Sequence, residues 1–288
     1  MCGTGKTNTI DQPSHIELVA HCTLRTGLCA GPLLHSNKDM KMNNLIQPNS
    51  VPSAEGLAQN PMLAEDMGSF EYLIGCEESQ QICIALRERG YIAYSCDLKP
   101  CSGGHPEWHL QMDIYEAIKL KKWHFIGLHP VCTKMTLSGN RHYAPGKPKH
   151  QERLDAVEWT INLWQFACKN ANKVYMENPM GAMNGDKRLP KPQIIQPYYF
   201  GDEFQKTTCL WLYNLPPLYH NEKPNLFDSN VTHVGKGEMW VAKSGKVLPK
   251  WYAETASTNN EGNRAIRSKT FPGIAAAIAS QWTGNVFC

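Results

Sequence analysis

Trp123-His124-Phe125-Ile126-Gly127-Leu128-His129-Pro130-Val131-Cys132-Thr133-Lys134-Met135-Thr136-Leu137-Ser138-Gly139 joins an apolar run to a proline turn and a cysteine. The run Trp123–Leu128 reads as a buried strand, because β-branched and aromatic residues lead directly into a proline. A cysteine just past a strand end, beside a stiffened turn, stands where a nucleophile would be displayed. Open α/β sheets bind their ligands at the carboxyl ends of their strands. Cys132 is therefore expected at the mouth of a doubly wound sheet.

The neighbouring sequence supplies the rest of such a sheet. Residues 72–74 form a strand ending at Gly75, residues 80–89 a helix stopped by Gly90, and residues 91–96 a second strand ending at Asp97. A loop with Gly103-Gly104 leads to Asp113 and a short helix before Trp123. In residues 154–169, Leu154, Val157, Ile161, Trp164 and Cys168 share one face at helical spacing. Residues 174–176 are another strand, ending at Glu177-Asn178-Pro179. Strands alternating with helices give a largely parallel sheet with right-handed crossovers. Two strand-like pieces follow, 193–196 and 208–211, then a Pro/Asn-rich stretch over 215–263 and a closing helix at 272–282 with Pro at its first turn. No internal repeat is present.

Composition narrows the function classes. The chain has 288 residues, enough to bury a substantial core, and no apolar run of membrane-spanning length; the longest covers only 274–279. No secretion-signal pattern opens it. Eleven cysteines, an odd number without a repeating framework, suit a reducing cytoplasm better than a disulfide scaffold. A net charge of +3 excludes a polycation, but basic residues cluster at 141–153, 187–191, 243–250 and 264–269. Such clusters could meet phosphates, but on charge alone a solvated surface is the favoured reading. Residues 1–66 are rich in Asn, Ser, Pro and Met without periodicity and read as a disordered extension before a folded unit at 67–288. Within them, Gly3-Thr4-Gly5-Lys6-Thr7 has neither the leading glycine nor the strand that a phosphate loop requires.

The strand ends carry a pattern. A glycine after the first strand, Gly75, lets a ligand approach the backbone, and an acid after the second, Asp97, is the usual partner of ribose hydroxyls. Asp113 adds a second acid. The loop 75–80 has no further glycine and contains Glu77 and Glu78, a poor cradle for a pyrophosphate. An adenosine cofactor without phosphates, S-adenosylmethionine, fits better than a dinucleotide. Glu177, at the end of the strand beside that of Cys132, could share a proton with a ring nitrogen; alone, it would read as a turn acid.

His129–Gly139 resembles the Pro-Cys-Gln segment of DNA cytosine-5 methyltransferases, Gly-Pro-Pro-Cys-Gln-x-Phe-Ser-x-x-Gly, and Glu177-Asn178-Pro179 resembles that family's Glu-Asn-Val. Leu73-Ile74-Gly75, Asp97 and Asp113 match its cofactor motifs in order, and Ser268-Lys269-Thr270-Phe271-Pro272-Gly273-Ile274 sits where its last motif packs back on the first. The likeness spans about 71–282 and is greatest to short phage-type members. It implies a class I, Rossmann-like methyltransferase fold with a small irregular C-terminal insertion. That insertion, 198–263, would be a reduced target-recognition region, with 264–288 as the closing segment.

The resemblance further implies a mechanism. The Cys132 thiolate adds to carbon 6 of cytosine, Glu177 holds the ring at N3 and its amine, and Asn178 fixes the loop. Cofactor contacts would come from Gly75, Cys76, Glu78, Asp97, Asp113, Ile114 and Pro130, and substrate contacts from Ser138, Arg141 and Asn178. Residues 133–151 would form a mobile cover over a flipped base. The implied protein is a cytoplasmic monomer of a bacterial or phage-infected cell acting on duplex or single-stranded DNA, with no membrane partner.

The departures are specific. Val131 and Thr133 replace Pro and Gln, Pro179 replaces Val, and Gln193-Ile194-Ile195-Gln196 is a poor substitute for a Gln-x-Arg-x-Arg segment. Cys96, Cys101, His105 and His109 have spacings zinc could use, but no Cys-x-x-Cys accompanies them and the adenosine would dock there, so no metal is expected. Two alternatives stand beside it: thiolate-dependent carbon-5 modification of a free pyrimidine nucleotide, and a non-catalytic module of the same fold binding DNA or cofactor.

Overall fold

The computed structural model describes residues 70–224, 229–257 and 261–283, all within the unit Val51–Cys288. The expectations for residues 1–66, including Gly3–Thr7, and for a start at residue 67 lie outside them. The chain builds β1 (Glu71–Gly75), α1 (Gln81–Glu88), β2 (Ile92–Asp97), β3 (His109–Gln111), α2 (Ile114–Lys119) and β4 (Trp123–Leu128). After β4 come α3 (Asn140–Tyr143), the long α4 (His150–Asn170), β5 (Ala171–Pro179), β6 (Gln193–Ile195) and β7 (Thr208–Tyr213). The last part holds a hairpin, β8 (Met239–Val241) and β9 (Val247–Pro249), then α5 (Lys250–Ser257), α6 (Glu261–Ser268) and α7 (Pro272–Gln281).

Seven strands form one sheet in the order β3-β2-β1-β4-β5-β7-β6. The first five are parallel; β7 runs antiparallel to both β5 and β6. This is the expected doubly wound, mostly parallel sheet. Strand order reverses between β1 and β4, whose ends are in register at Gly75 and Leu128. That is the switch point at which such sheets open a crevice.

Alternate side chains of each strand enter opposite layers. Leu73, Ile126, Leu128 and Met176 pack with Ile118 of α2 and with Ile161 and Trp164 of α4. Tyr72, Ile74, Phe125, Tyr175 and Leu210 pack with Ile82 and Leu86 of α1 and with Ile274 and Ile278 of α7. Burial on both faces explains why the strands read as continuous apolar runs rather than alternating ones. No described helix is long and apolar enough to cross a membrane.

The stretch read as irregular, 215–263, contains the hairpin, α5 and the start of α6. Three-residue strands are too short to express a period of two. β3 is equally short and lies in what reads as loop.

Candidate active site

The turn after β4 is fastened from both sides. The His129 N–H donates to Gly75 O at 2.9 Å, extending the β1–β4 ladder by one residue. The Cys132 carbonyl accepts from Met135 N (2.8 Å) and Thr136 N (3.1 Å), which reverses the chain and buries Met135. From β5, Asn178 Nδ2 donates to Pro130 O at 3.0 Å. Leu137 N donates to Met180 O and Ala182 N to Met135 O. These bonds zip the Cys132 turn to the loop that follows Glu177-Asn178.

Glu177 and Tyr175 are two apart on β5 and therefore share a face. Glu177 Oε2 lies 3.4 Å from His129 Nδ1, with both side chains mostly buried. His129 Nε2 meets Tyr175 Oη at 2.7 Å. Gly127 makes this possible, since a Cβ there would overlap the Tyr175 ring. Glu177 Oε1 is buried and has no hydrogen-bond partner among the described residues. Beneath the carboxylate only about 10 Å³ of cavity remains, closed by Phe271 and Ile274 at the start of α7.

The electrostatics join the same residues. Burial would push the Glu177 carboxyl up, but the His129 hydrogen bond and the charges of Lys206 and His129 outweigh it, and its pKa is lowered. The Cys132 thiol is pushed up by burial and by the negative charge of Glu177, with Lys206 pulling the other way. Cys132 thus rests as a thiol. Glu77, behind His129, is pushed up to about 7 by burial, with His129 and the N–H groups of Ile82 and Cys83 opposing. Its carboxylate accepts from Ile82 N at 2.7 Å and Cys83 N at 3.4 Å, so it caps α1 where Gln80, in a left-handed conformation, makes no side-chain cap.

The expected cofactor residues collect at the ends of β1, β2 and β3. Cys76, also left-handed, has a thiol raised by burial and then by the charges of Asp97, Cys96 and Asp113. Asp97 Oδ1 accepts from Lys99 N at 3.0 Å, and Asp113 caps α2 by accepting from Tyr115 N at 2.8 Å. Glu78 is half-buried, and its carbonyl accepts from Ser102 N at 2.8 Å. Gly75 serves packing: a Cβ would overlap Ile114, whose buried side chain fills the space above it. Pro130 is buried and presents its carbonyl to Asn178.

Ser138 and Arg141 are exposed. Ser138 Oγ pairs with Thr136 Oγ1 at 3.0 Å, and Arg141 Nε donates to His142 Nε2 at 2.9 Å. No hydrogen bond among the described residues joins either to Cys132 or Glu177. The first part of 133–151 is clamped by buried Arg153 of α4. Its Nε donates to Lys134 O (2.7 Å), one Nη to Asn140 Oδ1 (2.7 Å) and the other to Thr136 O (3.1 Å). Cys96, Cys101, His105 and His109 form no metal-binding group among the described residues. Cys96 Sγ donates to Met112 O, His109 bonds Ser95 Oγ and Lys99 O, and His105 stacks on Trp108. A larger cleft of about 580 Å³ on the flank of α4, lined by Arg153, Glu158 and Arg188, includes none of the Cys132–Glu177 residues.

Sequence reading missed Tyr175, Lys206 and the role of His129. Period two counted back from Glu177 could have found Tyr175. Lys206 becomes visible only once β7 is known to run antiparallel to β5, with Thr208 opposite Pro179.

No family model matches the chain, and no curated protein matches it. Among solved structures, one similar chain is an E. coli protein assigned as a DNA modification methyltransferase encoded within a prophage. It is 10% identical with a TM-score of 0.36, over 50% of this chain and 46% of that one. This chain therefore spans less than half of that protein's length, and a likeness of this degree says nothing about what it binds or does.

Proposed function

We propose that the chain transfers a methyl group to carbon 5 of cytosine in DNA, with Cys132 as nucleophile, Glu177 as the residue that holds the ring, and S-adenosylmethionine as donor. One observation carries the reading: Cys132 and Glu177 come together at the carboxyl ends of adjacent strands, close enough for the carboxylate charge to act on the thiol.

The crevice suits a cofactor without phosphates. The N–H groups of Ile82 and Cys83 at the start of α1 already bond the Glu77 carboxylate, so the usual cradle for a pyrophosphate is taken. Asp97 and Asp113 offer carboxylates to hydroxyls and to a cationic centre, with Gly75, Cys76, Glu78, Ile114 and Pro130 around them. S-adenosylmethionine supplies an electrophilic methyl group when bound there.

The remaining chemistry belongs to the chain. Cys132 loses its proton and adds to carbon 6, and the carbon 5–carbon 6 electron pair shifts toward the ring. Glu177 Oε1 engages N3 and the amine, stabilising the electron-rich adduct. Carbon 5 would then be nucleophilic enough to take the methyl group as the donor's sulfonium–methyl bond breaks and S-adenosylhomocysteine leaves, and loss of the carbon-5 proton to solvent would expel Cys132. An ionised Glu177 raises the Cys132 pKa; a Glu177 that takes up the proton Cys132 loses and shares it with N3 stops doing so. Engaging the ring and ionising the thiol therefore favour each other. Asn178 keeps Pro130 and Glu177 in step, while Ser138 and Arg141 are proposed to meet the extruded nucleotide.

Tritiated methyl from labelled S-adenosylmethionine should appear in 5-methylcytosine after DNA is digested to nucleosides. Cys132→Ser should abolish that signal. Label in another base, or transfer undiminished by Cys132→Ser, would overturn the assignment.

A further inference from the structure

The Cys132–Glu177 pair leaves one neighbour without a role. His129 sits between two acids and a phenol, three residues before the cysteine, and its ring is mostly buried. Buried imidazoles with both nitrogens engaged set proton positions in their partners. The titratable and charged groups facing it are Tyr175 and Glu177 from β5, Glu77 from the loop before α1, and Lys206 ahead of β7.

The geometry fixes which atoms meet. Burial and the nearby carboxylates of Glu77 and Glu177 keep the Tyr175 phenol protonated, and its hydrogen-bond partner among the described residues is His129 Nε2. The other ring nitrogen, Nδ1, faces Glu177 Oε2 at 3.4 Å. Oε2 is thereby engaged and Oε1 is left over, buried and without a partner among the described residues. Gly127 belongs to the same device, because only a missing Cβ lets the Tyr175 ring lie across β4.

Building on the proposed methyl transfer, we infer that His129, set by Tyr175, is the positioning residue that holds Glu177 through Oε2 and reserves Oε1 for the substrate ring. Tyr175 acts only through His129, and His129 only through Glu177.

The test uses the full chain with His129→Leu, His129→Asn, Tyr175→Phe and the Leu/Phe double variant. Asn retains a donor near the Nδ1 position. His129→Leu should lower kcat by about 100-fold, the cost of misplacing a reacting group, with KM for DNA and for S-adenosylmethionine unchanged. His129→Asn should recover at least roughly tenfold of that loss. Tyr175→Phe should lower kcat in the wild-type background but not in His129→Leu, since a relay is non-additive. A loss in KM, no rescue by Asn, or additive losses would overturn the inference.

A second readout needs no turnover. Cys132 alkylation by iodoacetamide at mildly acidic pH is followed by mass spectrometry of its peptide. Without His129, Glu177 takes up a proton more readily, and a neutral Glu177 no longer suppresses the thiolate. His129→Leu should therefore be alkylated roughly threefold faster than wild type, His129→Asn at the wild-type rate, and the difference should vanish in Glu177→Gln. Equal rates in wild type and His129→Leu, or a difference surviving Glu177→Gln, would overturn the inference. If wild type methylates nothing, the methyl-transfer reading fails, and this readout still decides the part His129 plays.

Discussion

Two carboxyls flank His129, and burial acts on both with opposite outcomes. Glu177 has a hydrogen bond and two cations to outweigh its burial. Glu77 has His129 and the N–H groups of Ile82 and Cys83, which do not outweigh its burial, and it rises to about 7. A carboxyl whose folded pKa stands above its unfolded value binds its proton more tightly when folded. Its contribution to stability is full below the unfolded pKa, near 4.5, and is lost as pH rises through about 7. Glu77→Gln keeps an acceptor for Ile82 N and cannot ionise. Thermal melts across that window should therefore show a smaller fall in Tm with rising pH than wild type, and an equal fall would refute the burial of a titrating Glu77. Across His129 the sign differs. Glu177→Gln removes the charge that holds the Cys132 thiol up, so the alkylation midpoint of Cys132 should move to lower pH. Methyl transfer should fall by about 100-fold or more at the same time, the range for losing a positioned proton-sharing group. Faster alkylation with slower turnover would be hard to obtain from a merely damaged fold.

Helix α7 is the element that closes the site from below. It is Ala- and Ile-rich, and Ile274 and Ile278 insert between Tyr72, Phe125 and Tyr175. Phe271 and Ile274 form the floor under Glu177. Ile278→Ala should cost about 2–5 kcal/mol, the penalty for a cavity in a packed core, whereas Ile266→Ala, at an exposed position on α6, should stay within about 0.5 kcal/mol. Denaturant unfolding of the two variants makes the comparison. Elements of this kind are legible in the sequence. β4, α4 and α7 announce themselves by length and period; of β5 only 174–176 is read, and the observed strand continues through Glu177 to Pro179. The hairpin β8–β9 and the helices α5 and α6 do not announce themselves. The strands are too short for a period, α5 starts straight after Pro249, and α6, Glu-Gly-Asn-Arg-Ala-Ile-Arg-Ser, reads as polar punctuation. Lys206 stays hidden for a different reason. Its place depends on which strand pairs with which, and local sequence does not carry that.

At the scale of the whole molecule, a net charge of +3 gives little long-range attraction, so binding to a polyanion must rest on local groups. Arg141, Lys147 and Lys149 are exposed on the segment between the Cys132 turn and α4. If they meet phosphates, neutralising two of them should flatten the salt dependence of DNA affinity. The slope of log K against log salt should become shallower by about 0.9 for each phosphate that is no longer neutralised. Binding isotherms at several salt concentrations measure it, and an unchanged slope would remove this segment from the DNA-facing surface. Arg188 is a useful control, because its guanidinium is already paired with Asp186 and Glu158.

The reversed strand β7 sets one further constraint. In the parallel part of the sheet the chain reaches the Cys132–Glu177 rim as it leaves a strand, so spacing after the strand matters there. At β7 the chain arrives at that rim before entering the strand, and Lys206 is delivered two residues ahead of Thr208, opposite Pro179. Tolerance to insertion and deletion is therefore inverted along this one strand. A single residue gained or lost between Phe204 and Thr208 would carry the lysine away from the carboxylate it steadies. The same change beyond Tyr213 would leave Lys206 in place and shift instead the segment held by Asn214, Pro216 and Leu218.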